Sequence, residues 1–460
     1  MNGIVLSDIS YTNPQDFKTP MRKLTTLLCT LILFSSVTLA QDVLTLDKCI
    51  EIALENNLQV KTAENNVLIA KSNKTRALML FLPDLNAAAN YRLNFGLGFD
   101  ETSGRFVDRI TRSSSPGIFS SWTVFNGFQN TYRLKRRNYE KMSAENALSN
   151  AKLDAKNNVL VAYLNVTLDR ERIRISEDRI KLLSGQLERE KQRESVGVGD
   201  MEQVNNFESQ VATEKLNLVT LTNTLKADKL QLLQILTMDK MVDFDIEPET
   251  FNDADLLEQP VPFDQVLSAS MTFSPGLKGA NADYQASRFR YKEAISGMSP
   301  RLSISAAYGS GYSNNLVNDD GQEIFWRTQL SDNVARTVNF SLSIPIFNQF
   351  AVRNDMQVSR LTQRNAEISI KQAEQNVRNT AQQVYLDLVA AQETYKASSE
   401  NLRALERSFE FAKTRYEAGR TDFYTYVEAL NNKNRAEIEL VNAKYTIVFR
   451  QKILDLLQGI

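Results

Sequence analysis

Glu188, Glu190 and Glu194 lie close enough along one segment to be weighed as a general acid and base, the roles that hydrolytic chemistry asks of paired carboxylates. They alternate with Arg189, Lys191 and Arg193, and interleaved opposite charges on a helix describe a solvated surface rather than a reaction centre. The chain has no histidine, which removes the commonest general base and the commonest metal ligand together. Val196-Gly197-Val198-Gly199-Asp200 holds a Gly-x-Gly, but it follows a helix and lacks the Lys-Ser/Thr of a phosphate loop. Glycine readily takes the left-handed conformation, so Gly197, Gly199 and the matching Gly419 are expected to be helix-ending turns. No catalytic residue, metal site or cofactor is expected.

Arg133, Lys135, Arg136 and Arg137 form one basic run, but a formal net charge of -1 provides no broad field for nucleic acid. Of the two cysteines, Cys29 falls in an apolar run after Met21-Arg22-Lys23 that ends at Thr38-Leu39-Ala40. That run has the charged start, apolar middle and small-residue end of a secretory signal. Residues 1–20 then read as an upstream extension and 21–40 as the signal peptide. Once Cys29 is removed, Cys49 has no partner and is expected to be a small core residue.

The elements that must position these residues occur twice. Thr123-Val124-Phe125-Asn126-Gly127-Phe128 returns 222 positions on as Pro345-Ile346-Phe347-Asn348-Gln349-Phe350, and the same offset carries Gly197 to Gly419 and Asp200 to Asp422. Upstream, Pro83-Asp84-Leu85 and Asn57-Leu58 return at an offset of 217 as Pro300-Arg301-Leu302 and Ser274-Pro275. The five extra residues therefore lie between Pro300 and Phe347. A repeat of this kind predicts one structural unit built twice: residues 41–245, a linker at 246–262, and residues 263–460.

Each unit reads helix, strand, loop, strand, very long helix, tight turn, helix. Glycine and proline are missing from 128–184 and from 350–418, stretches that predict helices on the order of 100 Å long. In the second, Val377, Ala381, Val384, Leu388, Ala391, Tyr395, Leu402, Leu405, Phe409, Ala412 and Tyr416 form a coiled-coil-like seam. Single helical patterns cover 46–82 and 263–298. The period then becomes two: Tyr91, Leu93, Phe95, Leu97 and Phe99 alternate with polar or small residues, as do Val338, Phe340, Leu342, Ile344 and Ile346. Weaker alternation at 118–124 and 302–308 adds two strands, and 100–116 and 309–333 read as surface loops. Four strands cannot close a barrel, and an open edge in lipid leaves backbone groups unpaired, so several chains are expected to share one. Tyr91, Leu93, Phe95, Phe340, Leu342 and Ile344 would face lipid, and Arg92, Asn94, Asn339 and Ser341 a wet lumen.

This duplicated order resembles the TolC-like outer-membrane efflux factors over about 46–457. The resemblance rests on Phe81-Leu82-Pro83-Asp84-Leu85 and Met298-Ser299-Pro300-Arg301-Leu302, on the turns at 122–127 and 344–348, and on Tyr416-Glu417-Ala418-Gly419-Arg420-Thr421-Asp422 before a helix carrying Asn431 and Ala436. Thr123 and Gln349 depart from the usual proline and glycine of the two turns. The resemblance implies a mainly α fold with a small β portion, in which a homotrimer builds a 12-stranded outer-membrane β-barrel continued by a long periplasmic α-helical barrel. It implies an exit channel for cargo delivered by an inner-membrane pump through a periplasmic adaptor, with outer-membrane lipid around it. It also places a periplasmic gate at the tips: Tyr416 opposite Glu202 and Gln203, with Arg420 one position from the family's gate arginine. Thr425 and Glu428 fall where some members carry two carboxylate rings. A secreted trimeric coiled-coil structural or adhesive protein is the other reading, which a repeated helix-strand-strand-helix unit fits poorly.

Overall fold

A computed structural model describes residues 43–100, 104–108, 110–238, 244–247 and 255–460. The signal segment and the extension before it lie outside the described residues. Strand β1 (Val43–Leu44) leads into helices α1 (Leu46–Asn56) and α2 (Leu58–Met79). Strands β2 (Asn86–Asn94), β3 (Leu97–Asp100), β4 (Arg105–Asp108) and β5 (Thr111–Phe125) follow, then α3 (Gln129–Ser195), α4 (Met201–Ile235) and β6 (Asp245–Ile246). The second half runs α5 (Phe263–Phe273), α6 (Pro275–Ile295), β7 (Arg301–Gly309), β8 (Tyr312–Ser313), α7 (Trp326–Asp332), β9 (Ala335–Ser343), α8 (Ala351–Glu417) and α9 (Phe423–Gln458).

Three local readings need correction. The helical patterns at 46–82 and 263–298 are each two helices, broken at equivalent polar residues that cap the second of the pair. Asn57 accepts from the backbone N–H groups of Gln59 and Val60 at 2.8 and 3.1 Å, and Ser274 accepts from Leu277 at 3.3 Å ahead of Pro275. Such side chains satisfy the orphan donors of a helix start, which favours a new helix over a continued one. Second, the alternation from Tyr91 to Phe99 is interrupted at Gly96, whose φ of +93° turns the chain into the β3–β4 hairpin. Third, the segments read as loops contain β4, the first part of β5, β8 and α7.

Helices α3 and α8 are each 67 residues long. On α8 the seam is buried at Ala381, Val384, Leu388, Ala391, Tyr395, Leu402, Phe409 and Tyr416, while Val377, Leu405 and Ala412 are half-buried. Two apolar clusters lie at mid-length, where the short helices and helix ends pack on the long ones. One of them holds Cys49 beside Tyr163, Leu232 and Phe449; burial pushes the Cys49 thiol up to about 11, as expected of an inert core cysteine.

The four main strands form an antiparallel sheet in the order β2-β5-β7-β9, with β8 added against the start of β5. Cross-strand register decides which residues share a face, because directly paired residues point the same way. Trp122, Ile304 and Phe340 form one row, Phe125, Leu302 and Leu342 the next, and Ile118 pairs with Tyr308. The alternate rows are Thr123, Ser303 and Ser341, then Ser121, Ser305 and Asn339. On β2, Tyr91 and Leu93 fall on the apolar face and Arg92 on the polar one, opposite Ser113. Phe95 and Ile344 lie just beyond their strands, so the alternation does not orient them.

Each of β5 and β9 turns into its long helix through two successive left-handed residues: Gly127 and Phe128 at φ 65° and 66°, Gln349 and Phe350 at 54° and 60°. At Gly127 a Cβ would stand 2.3 Å from the Ser299 Cβ, so that position excludes a side chain on space as well as on φ. Gly127→Ala should therefore destabilise the fold by about 2–4 kcal/mol, combining the left-handed penalty with overpacking. Gln349→Gly should change stability by no more than about 1 kcal/mol, mostly by relieving φ. Denaturant unfolding followed by circular dichroism checks both; equal losses at the two sites would contradict this account.

Candidate functional site

The free ends of the α3–α4 and α8–α9 hairpins are built from the same turn chemistry. Gly197 (φ +76°) and Gly419 (φ +70°) end the long helices in the left-handed conformation. The turns close through Gly197 N–H to Glu194 O at 2.9 Å and Arg420 N–H to Arg415 O at 2.8 Å, so the orphan carbonyls are satisfied. Gly199 is needed for close approach, since a Cβ there would meet the Glu194 amide nitrogen at 2.5 Å. The next helices start at equivalent aspartates: Asp200 accepts from Glu202 N–H at 2.9 Å and Asp422 from Thr425 N–H at 2.8 Å. Those bonds hold the exposed Asp422 carboxyl below its ordinary value.

Between the hairpins lies a compact aromatic cluster. Phe207 is fully buried with Phe423 edge-on at 4.7 Å and Tyr416 at 5.9 Å between ring centroids, and Tyr426 stacks on Tyr416 at 5.1 Å. Leu183, Val211, Phe409, Val427 and Leu430 complete it. At its edge Tyr416, only 4% exposed, carries the polar contact that joins the two hairpins. Its O–H donates to Gln203 Oε1 at 2.7 Å and lies 3.2 Å from Glu190 Oε1. Burial, and next the Glu190 carboxylate, push the Tyr416 phenol well above its ordinary value, so it remains a proton donor at any physiological pH. Burial likewise pushes Tyr426 up to about 12.

Glu190 corrects the reading of the charged stretch. Glu188 is exposed and Glu194 half-buried, but Glu190 is 3% exposed, with the Tyr416 hydroxyl 3.2 Å away and a bond from Arg193 at 3.4 Å. Its sequence signal is its spacing: it follows Leu183 by seven residues and Gln186 by four, on the buried side of α3. Phe207 and Tyr426 were missed for the same reason, since each reads as one more seam residue. Of the residues picked out by resemblance, Tyr416 and Gln203 are in direct contact, whereas Glu202 is exposed and bonds through its backbone to Asp200. Arg420, Thr425 and Glu428 are exposed. The Thr425 hydroxyl sits 3.1 Å from Asp422 Oδ2 as part of the helix cap, and Glu428, three residues on, lies on the same face of α9.

Further polar ties connect the hairpins above the tip. Arg179 of α3, paired with Glu214 within its own hairpin at 3.0 Å, also reaches Asn431 of α9, and Arg172 reaches Asn442 at 3.3 Å. Arg189 and Glu417 form an exposed pair at 3.1 Å, of a kind worth about 0–1 kcal/mol. The described residues contain no group of carboxylate and cysteine side chains able to hold a metal ion.

A sheet with one apolar face, carried on two duplicated, 67-residue helices, is the architecture of an outer-membrane channel with a periplasmic tunnel. The outer membrane efflux protein family model matches residues 49–237 and 266–459, and the chain belongs to that family. It is 22% identical to the outer membrane protein TolC of Escherichia coli (strain K12) over 441 residues, 94% of this chain and 85% of TolC. Its fold is similar to that of CusC, with a TM-score of 0.75 at 16% identity over 91% of this chain and 92% of that one. The Campylobacter jejuni CmeC outer membrane channel gives a TM-score of 0.73 at 16% identity, covering 90% and 85%. The chain is thus an outer-membrane exit channel for efflux, and family members are channels. Three copies of its four-stranded sheet close a twelve-stranded barrel, which pairs the edges that β2 and β9 leave open in one chain.

Proposed function

We propose that the channel is gated at its periplasmic tip by the contact between its own two hairpins, with Tyr416 as the latch and Gln203 and Glu190 as its keepers. The single observation that carries this is the Tyr416 hydroxyl, buried between α3, α4 and α8 and bonded to the opposite hairpin. Widening the tip requires the hairpins to part, and parting breaks that contact along with the Arg189–Glu417 pair. Cargo then passes when a periplasmic adaptor, itself coupled to an inner-membrane pump, holds the hairpins apart. The energy for transport comes from that pump. Glu202 and Arg420, exposed beside the turns at Gly197, Gly199 and Gly419, belong to the surface that such an adaptor would meet.

Glu428 supplies the selectivity of the narrow end in this reading. Three-fold symmetry would bring three copies toward the axis, where mutual repulsion and a low-dielectric wall attract cations. Thr425, tied into its cap, leaves Glu428 as the one carboxylate of the pair of ring positions. Glu428→Gln should lower the cation-over-anion permeability ratio in planar bilayers by several-fold and weaken block by multivalent cations. An unchanged ratio in a correctly assembled trimer would remove Glu428 from the pore.

A further inference from the structure

The basic run on α3 divides between two faces of the helical wall. Arg133 and Arg136 pair with Glu293 of α6 at 2.7 and 2.9 Å, and Arg136 and Arg137 pair with Glu140 at 2.7 and 2.8 Å. Lys135 points to the other face, into a groove of about 660 Å³ between α2, α3 and α6 lined by Lys71, Lys74, Lys141, Leu134 and Phe289. Lys141 is paired with Glu145 at 2.7 Å. Among the described residues, Lys71, Lys74, Lys135 and the adjacent Lys292 have no carboxylate within 4.0 Å. Lys135 and Lys292 instead lie 5.6 and 5.3 Å from the Phe289 ring centre, and Phe289 is stacked on Tyr139 at 5.6 Å.

The hand of the chain places this groove outside the tunnel. On β5 the apolar-face residue Pro116 accepts from Ser310 on the β7 side, while the polar-face residue Ser121 bonds Asp84 on the β2 side. For L-residues on a strand running toward the periplasm, that pattern puts β7 to the left of β5 as seen from the lipid. The helices follow the strand order, since α3 packs between α2 and α6, and α6 between α3 and α8. With α6 on the left, the right-handed turn of α3 carries Lys135 and Asn138 to the outer surface and Arg133, Arg137 and Glu140 to the lumen.

The groove also lies at a defined depth. Lys135 follows Phe128 by seven residues and Lys74 precedes Phe81 by seven, so each Cα is about 10 Å below the aromatic residues at the foot of the barrel. Trp122 and Phe125, exposed on the lipid face, mark that foot, and the Trp122 indole N–H is tied to Phe81 O at 2.9 Å. A headgroup layer is roughly 5–8 Å thick, and lysines extend toward it from below. We propose that this lysine and aromatic groove binds the phosphate headgroup of an anionic phospholipid in the periplasmic leaflet, one per protomer. The apolar face continues directly above, where the acyl chains would lie; the unpaired ammonium groups match the phosphodiester, and Leu134 and Phe289 meet the glycerol end.

The inference rests on outer-membrane placement and not on the latch. The test uses the full trimer in neutral detergent, titrated with dioleoylphosphatidylglycerol or dioleoylphosphatidylcholine, with bound lipids counted by native mass spectrometry. Phosphatidylglycerol should bind at three copies per trimer with about ten-fold or greater preference. The triple variant Lys74→Gln, Lys135→Gln and Lys292→Gln should lose that preference, while the corresponding lysine-to-arginine triple variant and the lumen-facing Arg137→Gln should keep it. Equal binding of the two lipids by the unmodified trimer, which needs no variant to fold, would overturn the proposal. So would a preference that survives the glutamine variant, or full displacement of the lipid by millimolar inorganic phosphate, which would mark a free-anion site. Lysine-dependent sedimentation with purified peptidoglycan, without lipid preference, would assign the surface to the cell wall and overturn it as well.

Discussion

Arginine at Leu342 should hinder assembly into the outer membrane, whereas arginine at the adjacent Ser341 should leave assembly intact and change conductance. Leu342 is exposed in a row with Leu302 and Phe125, and Ser341 in a row with Ser303 and Thr123. An arginine on the lipid face costs about 2–4 kcal/mol at the bilayer midplane and about 0–1 kcal/mol at the interface, and Leu342, level with Phe125 at the foot of the barrel, lies toward the lower end of that range. The trimer carries the substitution three times, so even about 1 kcal/mol per protomer sums to about 3 kcal/mol. On the lumen face the guanidinium stays in water and adds three positive charges to the pore. The measurement is the fraction of trimer in the outer membrane, followed by single-channel conductance of the trimers that form. Equal assembly defects at Leu342 and Ser341 would reject the division of the sheet into a lipid and a lumen face.

Tyr416→Phe should raise the open fraction of the isolated trimer by about ten-fold or more. The substitution keeps the ring in its cluster with Phe207 and Tyr426 and removes only the hydroxyl that bonds Gln203. A lost bond beside a buried carboxylate costs about 1–3 kcal/mol, and 1.4 kcal/mol is a factor of ten in a two-state equilibrium. If three protomers open together, the effects multiply. Glu190→Gln should open the tip less, because the Tyr416–Gln203 bond stays in place. Planar-bilayer recordings at fixed voltage read both changes, and an open fraction unmoved by Tyr416→Phe would sink the latch. The exposed Glu202→Gln should have little effect, which separates the buried keepers from the residues beside them.

Much of the architecture was legible because it rests on periodicities that act locally. Freedom from glycine and proline over 128–184 and 350–418 allowed only long helices, and α3 and α8 follow them. The seam of α8 was readable residue by residue, since a narrow apolar stripe on so long a helix has few ways to be buried. Strand faces were readable in β2 and in β9 from Val338 on, where alternation is strict. It faded in β5, which is serine-rich from Ser113 to Ser121, and Gly96 hid a turn inside an apparent strand.

By itself, then, the sequence determined the repeat, the order of elements, the two faces of the sheet, the tip turns at Gly197 and Gly419 and the place of Tyr416. Each follows from the spacing of residue types along one segment, which governs φ, capping and the side of an element that is apolar. The tertiary structure decided who meets whom across 157 to 226 residues of separation. It put Glu190 in the buried interface rather than in water, matched Tyr416 to Gln203 and not Glu202, and divided a single basic run into three neutralised arginines and one unpaired lysine. Local spacing cannot supply those pairings. They depend on the rotation of each long helix about its own axis against its neighbours, and that rotation is set by the packing of all the seams at once.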